Sequence, residues 1–421
     1  MRTKAVRIYG KKDLRLEEFE LPTLKEDEIL AKVVSDSICM SSHKAALQGT
    51  EHKRIPNDVN IHPTIIGHEF SGEIIEVGNK WSDQFHSGQK FSIQPALNYK
   101  GSLDAPGYSY RWIGGNATYI IIPNEVMEMN CLLAYSGPGF YPASLSEPLS
   151  CVIGAFHANY HVKPGTYVHQ MDIREKGKMA ILAGAGPMGL AAINYALSRE
   201  RRPSLLVVTD IDDQRLARAE LLYPKKEARE KGVELIYQNT ANSGGVAVED
   251  LIDLTDGDGY NDVFVFAPVP DVIEMGDKIL SRDGCLNFFA GPTNPEFSAK
   301  FNFYNLHYNA THVVGTSGGN NDDMQEALDL MAEGLDPSGL ISHIGGLDAV
   351  IDTTLHLPSI SGGKKLIYTN ISLSLTAIDD FVELGSNDPL FKELAAITSR
   401  HNGLWSVEAE SYLLENAVQL I

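Results

Sequence analysis

Three glycines place the strongest constraint on how this chain can fold. Gly184-Ala-Gly186-Pro-Met-Gly189 stands where a β-type run, Met179-Ala-Ile-Leu-Ala183, gives way to a helical stretch from Gly189 to Leu197, and a second β-type run, Leu205-Leu-Val-Val-Thr209, follows. Strand, glycine turn, helix and strand in that order open a parallel sheet. The first glycine permits the tight turn, the second lets backbone approach a pyrophosphate, and the third allows helix and strand to pack closely. The helix then presents unpaired N–H groups to the phosphates. Gly184, Gly186, Pro187, Met188 and Gly189 are therefore candidate dinucleotide contacts. Asp210 ends the next strand, 21 residues past Gly189. A carboxylate there accepts hydrogen bonds from ribose hydroxyls and repels a 2′-phosphate, which favours NAD(H) over NADP(H). Arg215, on the helix that follows, completes the candidate set. The ordinary alternative for Asp210 is a turn carboxylate at a strand end.

Further β-type runs at Asp262-Val-Phe-Val-Phe266, Leu286-Asn-Phe-Phe289 and His312-Val-Val-Gly315 extend the same sheet. The first 150 residues read differently. Short β-branched runs such as Glu28-Ile-Leu-Ala-Lys-Val-Val34 and Tyr119-Ile-Ile-Ile-Pro123 alternate with glycine and proline breaks, the pattern of an irregular, mainly β domain. The charged insert Lys225-Lys-Glu-Ala-Arg-Glu-Lys231 is a solvated helix face, and Asp323 to Met331 is an amphipathic helix leading out of the second domain. A formal charge of −20 repels nucleic acid and anionic membrane surfaces. With no apolar run of spanning length and no secretion-type amino terminus, a cytoplasmic protein is expected. Cys39, Cys131, Cys151 and Cys285 are too scattered for a disulfide framework, so each is expected as a free thiol or a metal ligand.

A second motif, Gly67-His68-Glu69 with Gly72 and Gly78, lies between Cys39 upstream and Glu147 downstream. Zinc takes thiolate, imidazole and carboxylate ligands, and a catalytic zinc keeps one position exchangeable. Taken one at a time, these residues have ordinary explanations: a small buried thiol, a hydrogen-bonded core histidine, surface or capping acids. Their joint occurrence with a dinucleotide turn is what points to chemistry, since alcohol oxidation needs a Lewis acid beside a hydride acceptor.

Gly67-His-Glu-Phe-Ser-Gly72 with Gly78, Gly88-Gln-Lys-Phe91, Gly114-Gly-Asn-Ala-Thr-Tyr119, Glu147-Pro-Leu149 and the Gly184–Gly189 turn occur in the order found in zinc-containing medium-chain dehydrogenases. From the amino terminus to about Asn370 the chain resembles that family. Glu147-Pro-Leu149 resembles its polyol dehydrogenase branch, where a carboxylate belongs to the zinc site. Val34 to Lys44, Gly362 to Thr369 and Asn402-Gly-Leu-Trp405 resemble a ketose-phosphate reductase within that branch. The resemblance implies an α/β architecture: a GroES-like β-rich catalytic domain from residues 1–154 and 320–421, the latter with a carboxy-terminal extension, and a Rossmann doubly wound parallel sheet from residues 155–319, with substrate in the cleft. It implies one catalytic zinc held by Cys39, His68, Glu69 and Glu147, and Ser41 as the hydroxyl that relays the alcohol proton. It also implies reversible hydride transfer between NAD(H), or NADP(H), and a sugar or polyol phosphate, in a homodimer or homotetramer. An unphosphorylated polyol substrate and a non-catalytic cofactor-binding protein of the same fold are the alternatives.

The departures carry information. No cysteine lies between Phe91 and Asn130, where many members bind a structural zinc, so that second zinc is not expected. The acidic residue usual beside the relay hydroxyl is Ser42, the usual relay histidine is Lys44, and His43 sits one place early, which leaves the proton path beyond Ser41 open. A phosphate bound beside carboxylates in so acidic a chain needs local cations. Lys44, Lys53 and Arg54 are the candidates, with a solvated loop as the ordinary alternative.

Overall fold

The computed structural model describes residues 1–241, 247–292 and 294–420. The chain divides into two compact units, one made of Met1–Glu147 with Asn320–Ile421 and the other of Pro148–Gly319. Among the described residues, no helix is long and apolar enough to cross a membrane, and all four cysteines are free.

The second unit is a six-stranded parallel sheet. Its spatial order is Glu234–Asn239, Leu205–Asp210, Lys178–Leu182, Tyr260–Val265, Leu280–Phe288 and His312–Gly315. Every residue of Leu205–Asp210 is buried, as expected for a parallel strand covered on both faces. Chain order reverses beside Lys178–Leu182, and the glycine turn leaves that strand at this switch point. The turn leads into the helix Pro187–Ser198, capped by Gly186. A Cβ on Gly189 would lie 2.1 Å from the Gly184 carbonyl oxygen, so only glycine lets the helix close onto the turn. Around Gly186 there is open space instead.

The first unit is built around an eight-stranded sheet in which Ile29–Ile38 is central. On one side it pairs with Phe70–Val77, with Asp36 opposite Phe70; on the other it pairs with Lys364–Tyr368, with Ile38 opposite Lys365. Strands more than 300 residues apart in sequence thus flank one another. Ile29, Ala31 and Val33 point into a core that includes Ile65, Phe70, Ile74 and Phe91.

The last fifty residues belong to this unit. Trp405, Tyr368 and Phe381 are fully buried, with ring centroids 6.0 Å apart for Tyr368 and Trp405 and 6.4 Å apart for Phe381 and Trp405. Trp405 Nε1 donates to Tyr368 Oη, and Tyr368 donates to Glu410 on the helix Val407–Asn416. The backbone N–H groups of Phe140 and Tyr141 also donate to Glu410, at 2.7 and 2.9 Å. The carboxy-terminal helix therefore pins the segment that leads into the helix Ser146–Ala158.

Burial pushes the Glu410 carboxyl from the ordinary 4.5 up to about 7, although three donors favour its charged form. The folded protein thus holds a proton that the unfolded chain releases between those values, so stability is lost as pH rises through this window. Two and a half units correspond to on the order of 3 kcal/mol. The difference in unfolding free energy between wild type and Glu410→Gln, measured by denaturant melts at stepped pH, should move against the wild type by about that amount from pH 4.5 to above 7.

Candidate functional site

Cys39 lies at the end of Ile29–Ile38, in extended conformation, as the cap of the helix Met40–Gln48. His68 and Glu69 precede Phe70–Val77, and the Ser37 N–H donates to the Glu69 carbonyl, so the central pairing itself sets their distance from Cys39. Gly67 has φ +94°, and a Cβ there would meet Asn116 Nδ2 at 2.4 Å. A Cβ on Gly107, at φ +79°, would lie 2.0 Å from the Gly67 carbonyl oxygen. Two backbones touch here because neither residue has a side chain, and this contact brings the next residue, Tyr108, over His68.

One ligand atom each from Cys39, His68 and Glu69 lies within 4.8 Å of the others, and among the described residues this is the one such group of three or more. Thiol, imidazole and carboxylate form a donor set that zinc accepts. His68 is buried, and burial pulls its imidazole down to about 4, leaving it in the neutral form that binds metals. Burial, then the charge of Glu69, pushes the Cys39 thiol up to about 12; a bound cation would reverse this and favour thiolate.

Glu69 does not stand alone. Lys364 Nζ lies 2.6 Å from both of its oxygens, and Ser37 Oγ donates to it as well. Burial raises the Glu69 carboxyl, but Lys364 and the hydrogen bonds outweigh it and the net shift is downward. Burial likewise lowers Lys364, and Glu69 more than restores it. Glu147, second residue of its helix and half-buried, lies outside the group of three, yet its charge raises the proton affinities of Cys39, Lys364 and Tyr108.

On the other side of His68 lies a hydroxyl network. Ser41 Oγ is 3.2 Å from His68 Nε2, and Ser42 Oγ is 3.3 Å from Nδ1. Tyr108 donates to Ser41 Oγ at 2.9 Å and lies 3.3 Å from His68 Nε2. His43 turns away, with Nδ1 2.8 Å from the Thr354 carbonyl oxygen. The Arg54 guanidinium is 5.4 Å from the centre of the Tyr108 ring, and its Nε is buried without a partner. Lys44 is half-buried and Lys53 exposed. Among the described residues, none of these three cations has a carboxylate partner.

In the second unit, Asp210 is buried and accepts backbone N–H bonds from Ala185, Ile211 and Asp212. A carboxylate has about four acceptor sites, so roughly one remains. Arg215 is exposed, with Nε 3.7 Å from Asp212 rather than at Asp210.

Sequence reasoning missed Lys364, Ser37 and Tyr108. The two lysines at 364 and 365 carry no signal that a buried carboxylate awaits one of them. Tyr108 could have been found only through Gly107, whose positive φ is invisible in a stretch without periodicity.

Comparison with known proteins bears on the whole chain. A family model described as alcohol dehydrogenase GroES-like domain matches residues 25–130, and one described as zinc-binding dehydrogenase matches residues 187–333. The chain is 50% identical over 416 residues to L-sorbose 1-phosphate reductase of Klebsiella pneumoniae, covering 99% of this chain and 98% of that one. It is 50% identical over 418 residues to mannitol-1-phosphate 5-dehydrogenase of Aliivibrio fischeri, covering 98% and 97%. Among solved structures, 2R,3R-butanediol dehydrogenase from Bacillus subtilis shares the fold with a TM-score of 0.69 and 22% identity, over 87% of this chain and all of that one. With both of its units so matched and relatives of half-identical sequence along its full length, the chain belongs to the zinc-binding dehydrogenases that carry a GroES-like domain.

Proposed function

We propose that this protein is a zinc- and nicotinamide-dependent oxidoreductase that interconverts a ketose phosphate and a hexitol phosphate, L-sorbose 1-phosphate and D-glucitol 6-phosphate being the favoured pair. The observation that carries the reading is the Arg54 guanidinium, without a carboxylate partner among the described residues, over the ring of the tyrosine whose hydroxyl bonds Ser41 beside His68. A cation held there next to a metal-ligand set suits a substrate with a reacting carbinol and an anionic ester. The two half-identical relatives support it, since both are named for phosphorylated substrates.

Cys39, His68 and Glu69 would hold one zinc, with Glu147 acting on the site through its charge. Zinc supplies a Lewis acid for the substrate oxygen. Ser41 exchanges the proton of that oxygen. Because Tyr108 donates to Ser41 Oγ, the serine's own proton is left for an acceptor beyond it, the sense required when a ketone is reduced. Tyr108 is thus the next hydroxyl beyond Ser41. In the second unit, the open space around Gly186 admits a pyrophosphate, and the remaining acceptor site of Asp210 suits a ribose hydroxyl. That favours NAD(H). A homodimer or homotetramer and a cytoplasmic setting belong to the same reading.

Three outcomes test it. Cys39→Ala or His68→Ala should lower zinc per chain and reduce turnover by more than about a hundredfold, with the Kd for NADH unchanged by fluorescence titration; full activity in either variant would refute the ligand set. Catalytic efficiency with NADH should exceed that with NADPH by at least about tenfold, and Asp210→Ser should narrow the gap. Phosphorylated ketoses should be reduced far more efficiently than free ones, and Arg54→Ala should cost about 10- to 100-fold in KM for the phosphate ester, as expected for a charge-assisted bond. Equal efficiency with free sorbitol and its phosphate would leave a general polyol dehydrogenase.

A further inference from the structure

His52 lies in the same basic run as Arg54 and has a geometry of its own. Its ring stacks on Tyr108, with centroids 5.7 Å apart and planes 11° from parallel. The backbone N–H of Arg54 donates to His52 Nδ1 at 3.3 Å. In the neutral ring this makes Nδ1 the acceptor and puts the ring proton on Nε2. Among the described residues, no protein group accepts from Nε2, so the half-buried ring carries a donor available to a ligand.

The surroundings say what would receive it. Lys53 and Arg54 follow His52 in sequence, and Lys44 lies on the helix Met40–Gln48; after burial, these three charges hold its proton affinity below the ordinary value. Glu51, the residue before it, is exposed and paired with Lys11, and Tyr108, on which the ring stacks, has its hydroxyl engaged with Ser41. No acidic group figures in the balance at His52. In a chain of net charge −20, a histidine beside three cations that have no carboxylate partner among the described residues marks a place for an anion. Ser109 Oγ donates to the Arg54 carbonyl and accepts from the Ala105 N–H, so the backbone that orients His52 is itself tied to the Tyr108 segment.

We infer that His52 is a specificity-determining ligand of the substrate's phosphate, its Nε2–H donating to a phosphate oxygen alongside Arg54 and Lys44. This rests on the reading that the substrate is a phosphate ester. Stacking on Tyr108 sets the plane of the imidazole, and the bond from Arg54 sets its tautomer, so the donor is arranged before substrate arrives and little ordering is left for binding. The same tyrosine then joins two functions: its ring carries the histidine, and its hydroxyl bonds Ser41.

The test compares kcat/KM for L-sorbose 1-phosphate with that for free L-sorbose, using NADH, in wild type, His52→Phe and His52→Gln. Phenylalanine keeps a ring to stack on Tyr108 and removes the donor, whereas glutamine restores an N–H donor near the position of Nε2. The preference for the phosphate ester should fall at least tenfold in His52→Phe, through KM rather than kcat, and recover most of its size in His52→Gln. Zinc content and the Kd for NADH, measured on each variant, establish that it is folded. A wild type without preference for the ester overturns the phosphate reading itself. A wild type with the preference, retained in His52→Phe or lost equally in both variants, overturns the role of His52 alone.

Discussion

Lys364 and Glu69 form an ion pair inside the protein, and much of the first unit's arrangement depends on it. Removing two charges from water costs several kcal/mol for each, and their attraction offsets this only where geometry is good and the remaining lone pairs are satisfied. Both conditions hold here, with the ammonium shared between the two carboxylate oxygens and Ser37 supplying a further donor. Breaking such a pair by removing one partner costs about 3–5 kcal/mol. The pair joins a strand from the far end of the chain to a motif near its start, across the strand that ends at Cys39. A metal ion drawn to Glu69 would therefore meet a carboxylate whose charge is already balanced, and the thiol and imidazole would carry more of its binding.

The parts of this arrangement that could be read from the sequence are local ones. Gly184 to Gly189 stand in adjacent positions, and the strand before them and the helix after them are continuous runs, so turn, sheet and helix are all inscribed in about thirty residues. Cys39, His68 and Glu69 are separated by fewer than thirty-one positions and were recognisable as types that bind metal. What stayed hidden depends on register between distant strands. Lys364 reaches Glu69 because Lys365 lies opposite Ile38, and Glu410 reaches Phe140 because an aromatic cluster of Tyr368, Phe381 and Trp405 seats the last helices. Nothing periodic in the chain announces either pairing. Asp210 shows the intermediate case: its position at the strand end was legible, but the three backbone N–H groups that occupy most of its acceptor sites were not.

Charge is distributed with similar economy. The chain carries an excess of acid, while Lys44, Lys53 and Arg54 have no carboxylate partner among the described residues, and Arg54 lies close to a ring that touches the ligand set. Many other basic groups in the first unit are neutralised nearby, as Arg15 is by Asp13 and Lys80 by Glu128. An anion would gain most at the unneutralised ones, because field there is neither cancelled by a neighbour nor fully screened by water.

The central strand Ile29–Ile38 has two hydrogen-bonded neighbours made early in synthesis, Phe70–Val77 and Tyr119–Ile122, and one made late, Lys364–Tyr368. A ribosome adds roughly 5–20 residues per second. Between the emergence of Phe70–Val77 and that of Lys364–Tyr368, the growing chain passes through the whole of Pro148–Gly319, which contains every strand of its own sheet. The second unit can therefore finish folding on the ribosome while the first waits with the Ser35–Ile38 edge open and Glu69 without its lysine, for tens of seconds at the slower rates. An edge of that kind is a template for pairing with other chains. The cost of building a catalytic unit from both ends of a polypeptide thus falls on its biogenesis, in the interval before Lys364 arrives.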